Sequence, residues 1–364
     1  MISGRKSVNL NKMFRKIFFF IGIPIVLITA CIKDPMHDDH NDGHTHVNLD
    51  VPAGLPEMNI PTTNPLTVEG IALGRKLFFD PILSADSTQS CGSCHDPKKY
   101  FVDAENQFSI GIDGIAGNRN SMPLFNVGYS KSLFWDGGAP TLEDQAIDPI
   151  VNPIEMHNTW KKAVSDLQKT SDYPSLFEVA FPESDSIETK YVVRALAQFE
   201  RTLLSANSKF DQNRAGTYEF TAQEQRGLDV YIAEDKGDCF HCHSFGGTFT
   251  DFEMRNNGLD LVYKDSGRYR VTFNPADIGK FKTPTLRNIL FTAPYMHDGR
   301  FKTIRECIDH YNTGVQDHPN ASPLVTQRPK GRMSEQDIDD LIAFLGTLTD
   351  EEFINNPAFQ NPNP

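Results

Sequence analysis

The sequence predicts a mostly α-helical protein built as two similar halves packed against each other, and three observations carry that expectation. A five-residue pattern, Cys91-Gly92-Ser93-Cys94-His95, returns later in the chain as Cys239-Phe240-His241-Cys242-His243. Helix-start residues followed by apolar side chains at helical spacing occur in both halves, at Thr67, Thr221 and Ser334. No comparable run alternates apolar and polar residues with the period of a strand.

The repeated pattern carries chemistry. Two cysteines three apart sit on one side of a helical turn, where their sulfurs can form thioethers to two vinyl groups of a haem. The histidine that follows then lies under the iron as proximal ligand. A thioredoxin-like thiol pair and a structural zinc site are the competing readings. The first does not need the trailing histidine in both copies, and the second normally pairs its halves over a shorter gap. The expected fold is therefore two cytochrome c-like haem domains, each with one covalently bound haem c. Cys91, Cys94 and His95 hold the first, and Cys239, Cys242 and His243 the second.

A length of 364 residues suits about two domains. At the start, Arg5, Lys6, Lys12, Arg15 and Lys16 precede an apolar run from Ile17 to Ala30. That run is short for a bilayer span, and a basic head, an apolar middle and small residues before a cut describe a signal peptide over residues 1–30. Its end, Ile28-Thr29-Ala30-Cys31, resembles a bacterial lipobox, which implies cleavage before Cys31 and lipid attachment to it. A short uncleaved anchor is the alternative; either way the protein is exported, to the periplasm or cell envelope. Of six cysteines, one is then the lipid site and four attach haem, so no disulfide is available within the chain. Cys307, the remaining one, is expected to be a small buried thiol.

Residues 31–65 read as a tether in which His37, His40, His44 and His46 lie among Asp and Asn; capture of a transition metal and a solvated spacer are both compatible with them. The N-terminal haem domain is expected over 66–210, the C-terminal one over 211–350, and a tail over 351–364. Thr67 caps a helix carrying Ile71, Leu73, Leu77 and Phe78, which Pro81 stops. Glycine-rich sequence at 103–128 is loop. A helix from about Ser186 to Leu204 sets Val192, Val193, Leu196, Phe199 and Leu203 on one face. Thr221 with Glu224 forms a capping box for the helix that leads into the second haem motif, and Ser334 starts the last helix, with Ile338, Leu341, Ile342 and Leu345.

Beyond the haem motifs, the chain resembles the bacterial di-haem cytochrome c peroxidase family, including its MauG-like branch. The matching motifs are Leu73-Gly74-Arg75-Lys76-Leu77-Phe78-Phe79-Asp80, Phe134-Trp135-Asp136-Gly137, Asn152-Pro153-Ile154-Glu155-Met156, Phe199-Glu200-Arg201-Thr202-Leu203, Thr283-Pro284-Thr285-Leu286-Arg287-Asn288 and Pro294-Tyr295-Met296-His297-Asp298-Gly299. The resemblance implies reduction of hydrogen peroxide at the first haem. Glu155 takes the place of the family's acid–base carboxylate, Gln145 that of an amide that hydrogen-bonds peroxide, and Trp135 that of the tryptophan between the haems. No histidine occurs between His95 and His157 to block the first iron. Met122 as a ligand, and His157 reaching the pocket, are the remaining alternatives there. Tyr311 matches the tyrosine that ligates the second iron in the MauG-like branch, with Met296 and Met333 as alternatives. A calcium ion is implied at Asn120, Thr292 and Pro294.

The implied partners are hydrogen peroxide, a donor cytochrome c or a protein substrate, and a membrane through the lipid anchor, with dimerisation common in that family. Nucleic acid is not among them. A formal net charge of -13 favours a donor with a basic face. The rival expectations are a MauG-like oxidase that uses peroxide to modify a partner protein, and a non-enzymatic carrier with two fully ligated haems.

Overall fold

Thr67 starts the first helix: its Oγ accepts the Gly70 N–H at 3.0 Å, and α1 runs Val68–Phe79 until Asp80 and Pro81 end it. The computed structural model describes residues 45–362 apart from 105. The leader, Cys31, His37, His40 and His44 lie outside the described residues. After α1 the first half continues with α2 (Cys91–Cys94), α3 (Leu142–Gln145), α4 (Asp148–Val151), α5 (Trp160–Lys169), α6 (Tyr173–Ala180) and α7 (Thr189–Arg201). The second half holds α8 (Lys209–Arg214), α9 (Ala222–Ile232), α10 (Tyr269–Thr272), α11 (Ile304–Asp309), α12 (Pro323–Thr326) and α13 (Glu335–Gly346). Two short strands, β1 (Met254–Arg255) and β2 (Phe281–Lys282), pair antiparallel with Met254 opposite Lys282.

The same helix crossing organises each half. Helix α1 packs on α7, and α9 on α13. A Cβ on Gly74 of α1 would overlap the Ala195 carbonyl of α7, and one on Gly227 of α9 would overlap the Asp340 carbonyl of α13. Only glycine lets two helix backbones approach so closely. Apolar side chains close around each crossing. Leu73, Leu77, Phe78, Val192, Leu196 and Phe199 belong to a first core, while Val230, Tyr231, Ile338, Leu341, Phe344 and Leu345 belong to a second. The protein is thus mostly α, with two cytochrome c-like haem domains.

The joint between the halves is pinned by polar groups from both. Asn126 donates its Nδ2 to the Ser205 carbonyl at 2.9 Å and accepts the Ser205 N–H at 3.0 Å. Asp350 accepts the N–H groups of Ala206 and Asn207 at 2.8 and 3.0 Å. Asn126, Ser205 and Asp350 are buried, and each finds its hydrogen-bond partner there.

Two stretches depart from the sequence expectation. Residues 45–66, mostly inside the supposed tether, lie along the body with Leu55, Met58 and Leu66 buried, because apolar side chains gain by leaving water. At the other end Phe353 and Phe359, inside the supposed tail, are buried in the first core.

Candidate active site

Helix α2 is a single turn that opens with the Ser90 N–H donating to Ser93 Oγ at 3.0 Å. It sets Cys91 and Cys94 in the wall of a cavity of about 690 Å³, and His95 follows on the same wall. His95 Nδ1 lies 3.0 Å from the Phe101 carbonyl. A carbonyl can only accept, so Nδ1 carries the hydrogen and Nε2 keeps the lone pair that a metal takes. Burial holds the imidazole below its ordinary pKa, hence neutral.

The second motif repeats this arrangement. His243 Nδ1 lies 3.2 Å from the Phe249 carbonyl, and burial drives its pKa down to about 4. Both accepting phenylalanines are fully buried, and both have left-handed backbones, φ 57° at Phe101 and φ 52° at Phe249. A left-handed non-glycine residue is unfavourable unless its surroundings fix it. Here that backbone presents the carbonyl to the imidazole. Two cysteines beside a neutral, oriented imidazole, twice over, fit covalently attached haem.

The expected peroxide-side residues share the first cavity. Gln145 ends α3 and Glu155 sits in the turn after α4; both line it, as does Trp135. Glu155 Oε1 accepts the Asn152 Nδ2 at 2.7 Å. Burial raises its pKa and Asp148 adds to that, while the Asn152 hydrogen bond opposes it. The loop at 109–117 closes over this turn, with the Ile112 N–H donating to the Glu155 carbonyl at 3.0 Å. Trp135 is 9% exposed. Met122 also lines the cavity. His157 does not; its Nδ1 lies 2.5 Å from the Asp113 carboxylate and it is half exposed.

At the second motif, α11 gives way to a π-helical turn, His310–Gly314, which contains Tyr311. Such a turn adds a residue to the helical repeat and re-aims the side chains in it. The Tyr311 hydroxyl is 3.3 Å from Asn257 Nδ2, which also lies 3.5 Å from Met296 Sδ. Burial raises the Tyr311 pKa, with the Asn257 hydrogen bond opposing, and Arg332, donating to the Tyr311 carbonyl at 3.5 Å and the Gly237 carbonyl at 3.2 Å, ties this turn to the segment that leads into the second motif. Met333 instead belongs to the second core. Cys307 is buried there too, as expected.

The Asn120 N–H donates to the His297 carbonyl at 2.8 Å, tying the glycine-rich loop to the Pro294–Gly299 motif. Among the described residues no three His, Cys, Asp or Glu side chains converge to hold a metal ion. A cation at Asn120, Thr292 and Pro294 would therefore rest on neutral oxygens.

Lys282 and Glu200 are among the cavity residues to which the sequence gave no role. Lys282 Nζ, pushed down to about 8 by burial, donates to Ser130 Oγ at 2.9 Å and the Ser132 carbonyl at 2.7 Å. Glu200, inside a motif already noted, is buried against the cavity. Equal His-to-Phe spacing after both haem motifs was a further sequence signal, visible once the two copies are aligned.

Comparison with known proteins agrees over most of the chain. A family profile described as di-haem cytochrome c peroxidase matches residues 68–219. Methylamine utilization protein MauG of Methylorubrum extorquens is 36% identical over 296 residues, covering 80% of this chain and 81% of that protein. Cytochrome c peroxidase Ccp of Escherichia coli is 34% identical over 302 residues, covering 80% of this chain and 61% of that one. The crystal structure of a MauG-like protein associated with microbial copper homeostasis superposes with a TM-score of 0.81 at 34% identity, covering 87% of this chain and 99% of that one.

Proposed function

Because the chain belongs to the di-haem cytochrome c peroxidase family, and so is an oxidoreductase acting on hydrogen peroxide with two haems c, we propose that it reduces peroxide to water with electrons from a small c-type cytochrome. The observation that carries this reading is Glu155, a half-buried carboxyl lining the same cavity as Cys91, Cys94 and His95.

Bound haem iron supplies a site where the peroxide O–O bond breaks. Glu155 takes the proton from one peroxide oxygen and returns it to the other, so that water leaves rather than hydroxide. Asn152 holds the carboxyl in place. Gln145 hydrogen-bonds peroxide, and Trp135 carries electrons between the two haem domains, 66–210 and 211–350. Tyr311 would hold the iron of the second haem together with His243, where an oxygen donor lowers the potential. Calcium held by Asn120, Thr292 and Pro294 stiffens the joint between the loop and the second half. A lipid at Cys31 fixes the exported protein to a membrane, and replacing that cysteine releases it.

Tyr311 beside the second motif also favours a second reading, in which peroxide is used to modify a partner protein's side chain. Turnover separates the two. Sustained oxidation of reduced cytochrome c on adding peroxide supports the peroxidase, whereas peroxide consumption with poor turnover supports the second reading. No reaction with peroxide would sink both.

A further inference from the structure

The first cavity holds a carboxyl that the acid–base role leaves unused. Helix α7 places Glu200 between Phe199, packed in the core, and Arg201. Arg201 does not serve it, because its guanidinium is held by Glu143 through bonds of 2.8 and 2.9 Å. Glu200 Oε2 is buried without a hydrogen-bond partner, and the residue lines the cavity. A buried carboxylate without a cation is strongly disfavoured against the neutral acid.

The surroundings do nothing to reverse that. Helix α1 packs on α7 through the apolar Leu73, Leu77 and Phe78. Helix α2 contributes Cys91, whose sulfur lines the same cavity and carries no charge once joined to haem. Helix α3 contributes Glu143, and the turn Val127–Tyr129 contributes the buried phenol of Tyr129. The cavity is also lined by Glu155, Asp148 and His95, and by the cations Arg119, Arg270 and Lys282. Arg119 is taken by Asp136 and Asp265, and Lys282 by Ser130 and Ser132. Burial, with Glu143 adding and Arg201 opposing, raises the Glu200 pKa to about 8.

Reduction of one peroxide consumes two electrons and two protons and yields two waters. Glu155 only moves a proton from one oxygen to the other, so it leaves both consumed protons to be found. We propose that Glu200 is the proton donor of this cavity: as electrons arrive from the donor cytochrome it releases one of the two protons, becomes a carboxylate, and is reprotonated from solvent. Glu200, Glu155 and Cys91 all line this one cavity, so donor and relay face the same space.

The inference rests on peroxide being reduced in this cavity, and the test separates the two. Holoenzyme is mixed with peroxide and reduced cytochrome c across a pH series, for the wild type, Glu200→Gln, Glu200→Asp and Glu155→Gln. The wild-type rate should fall as pH rises through about 8. Glu200→Gln should lose that alkaline limb and react on the order of 10-fold slower or more. Glu200→Asp should restore part of the rate with a displaced limb, which also decides the matter if the glutamine variant does not fold. In infrared difference spectra, peroxide turnover with the reduced donor should bleach a protonated-carboxyl band that Glu200→Gln lacks. An unchanged rate and limb in Glu200→Gln, with Glu155→Gln slow, overturns the role of Glu200 alone. Wild-type behaviour of both variants overturns the cavity assignment as well.

Discussion

The indole Nε1 of Trp135 donates to the Asn120 carbonyl at 2.8 Å, while the Trp135 carbonyl accepts the Lys282 N–H at 2.7 Å. One aromatic residue is thereby fixed from a loop of the first half and a strand of the second. Trp135→Phe keeps much of the packing but strands a buried carbonyl. Stability should drop by about 1 kcal/mol, read by denaturation. Electron exchange between the haems should slow by about 10-fold or more at unchanged haem content. An exchange rate equal to the wild type's removes the relay role.

Glu155 must be ionised to accept a proton, and burial raises its pKa above that of an ordinary glutamate. The peroxide reaction should therefore rise with pH along an acid limb that belongs to this residue. Glu155→Gln should bind both haems yet react on the order of 100-fold slower or more, without that limb. Rapid mixing with peroxide measures both.

Tyr311 and Met296 both lie within reach of Asn257 Nδ2. Replacing an oxygen donor by a thioether favours ferrous iron. Tyr311→Met should therefore raise the potential of the second haem in spectroelectrochemical titration and leave the first unchanged. Identical spectra for variant and wild type would show that the phenol is not a ligand.

Arg287 is 0% exposed, and its guanidinium bonds both Asp211 oxygens, at 2.8 and 2.7 Å, as well as the Gly247 carbonyl. Burial pushes Asp211 up, yet Arg287 overrides this and the carboxyl ends below the usual range. Arg287→Ala leaves that carboxylate without its cation. The loss should be about 3 to 5 kcal/mol in chemical denaturation. A loss below about 1 kcal/mol would show that the pair adds little.

Glu200 also makes stability depend on pH. In the unfolded chain an ordinary glutamate loses its proton near its usual value of 4.5, whereas the folded protein keeps it up to about 8. The folded state thus holds the extra proton between those values, and stability falls as pH rises through that window. Glu200→Gln cannot ionise, so its stability relative to wild type should grow from about pH 5 to about pH 8, by on the order of a few kcal/mol. Equal pH profiles for variant and wild type would mean that Glu200 is ionised in the fold.

Much of this was readable before any coordinates. Thr67, Thr221 and Ser334 each begin a helix where expected, because a side-chain cap acts on backbone groups two or three residues away. The helix expected from about Ser186 to Leu204 is shorter, Thr189–Arg201, since Glu188 is extended and Leu203 and Leu204 have left the helix. Helices α5 and α6 were not singled out; Ala163, Leu167 and Phe177 show their purpose only in the core they join.

The sequence by itself determined the helical class and the family with its two haems c, since covalent spacing, capping and motif order are properties of neighbours along the chain. Tertiary structure decided which carboxyls are buried together, that Arg201 is committed to Glu143 and leaves Glu200 without a cation, and that Phe101 and Phe249 present their carbonyls to the two imidazoles. Those outcomes depend on burial and on partners far apart in sequence, and a carboxyl's proton affinity is set by the water and charge around it in the folded protein.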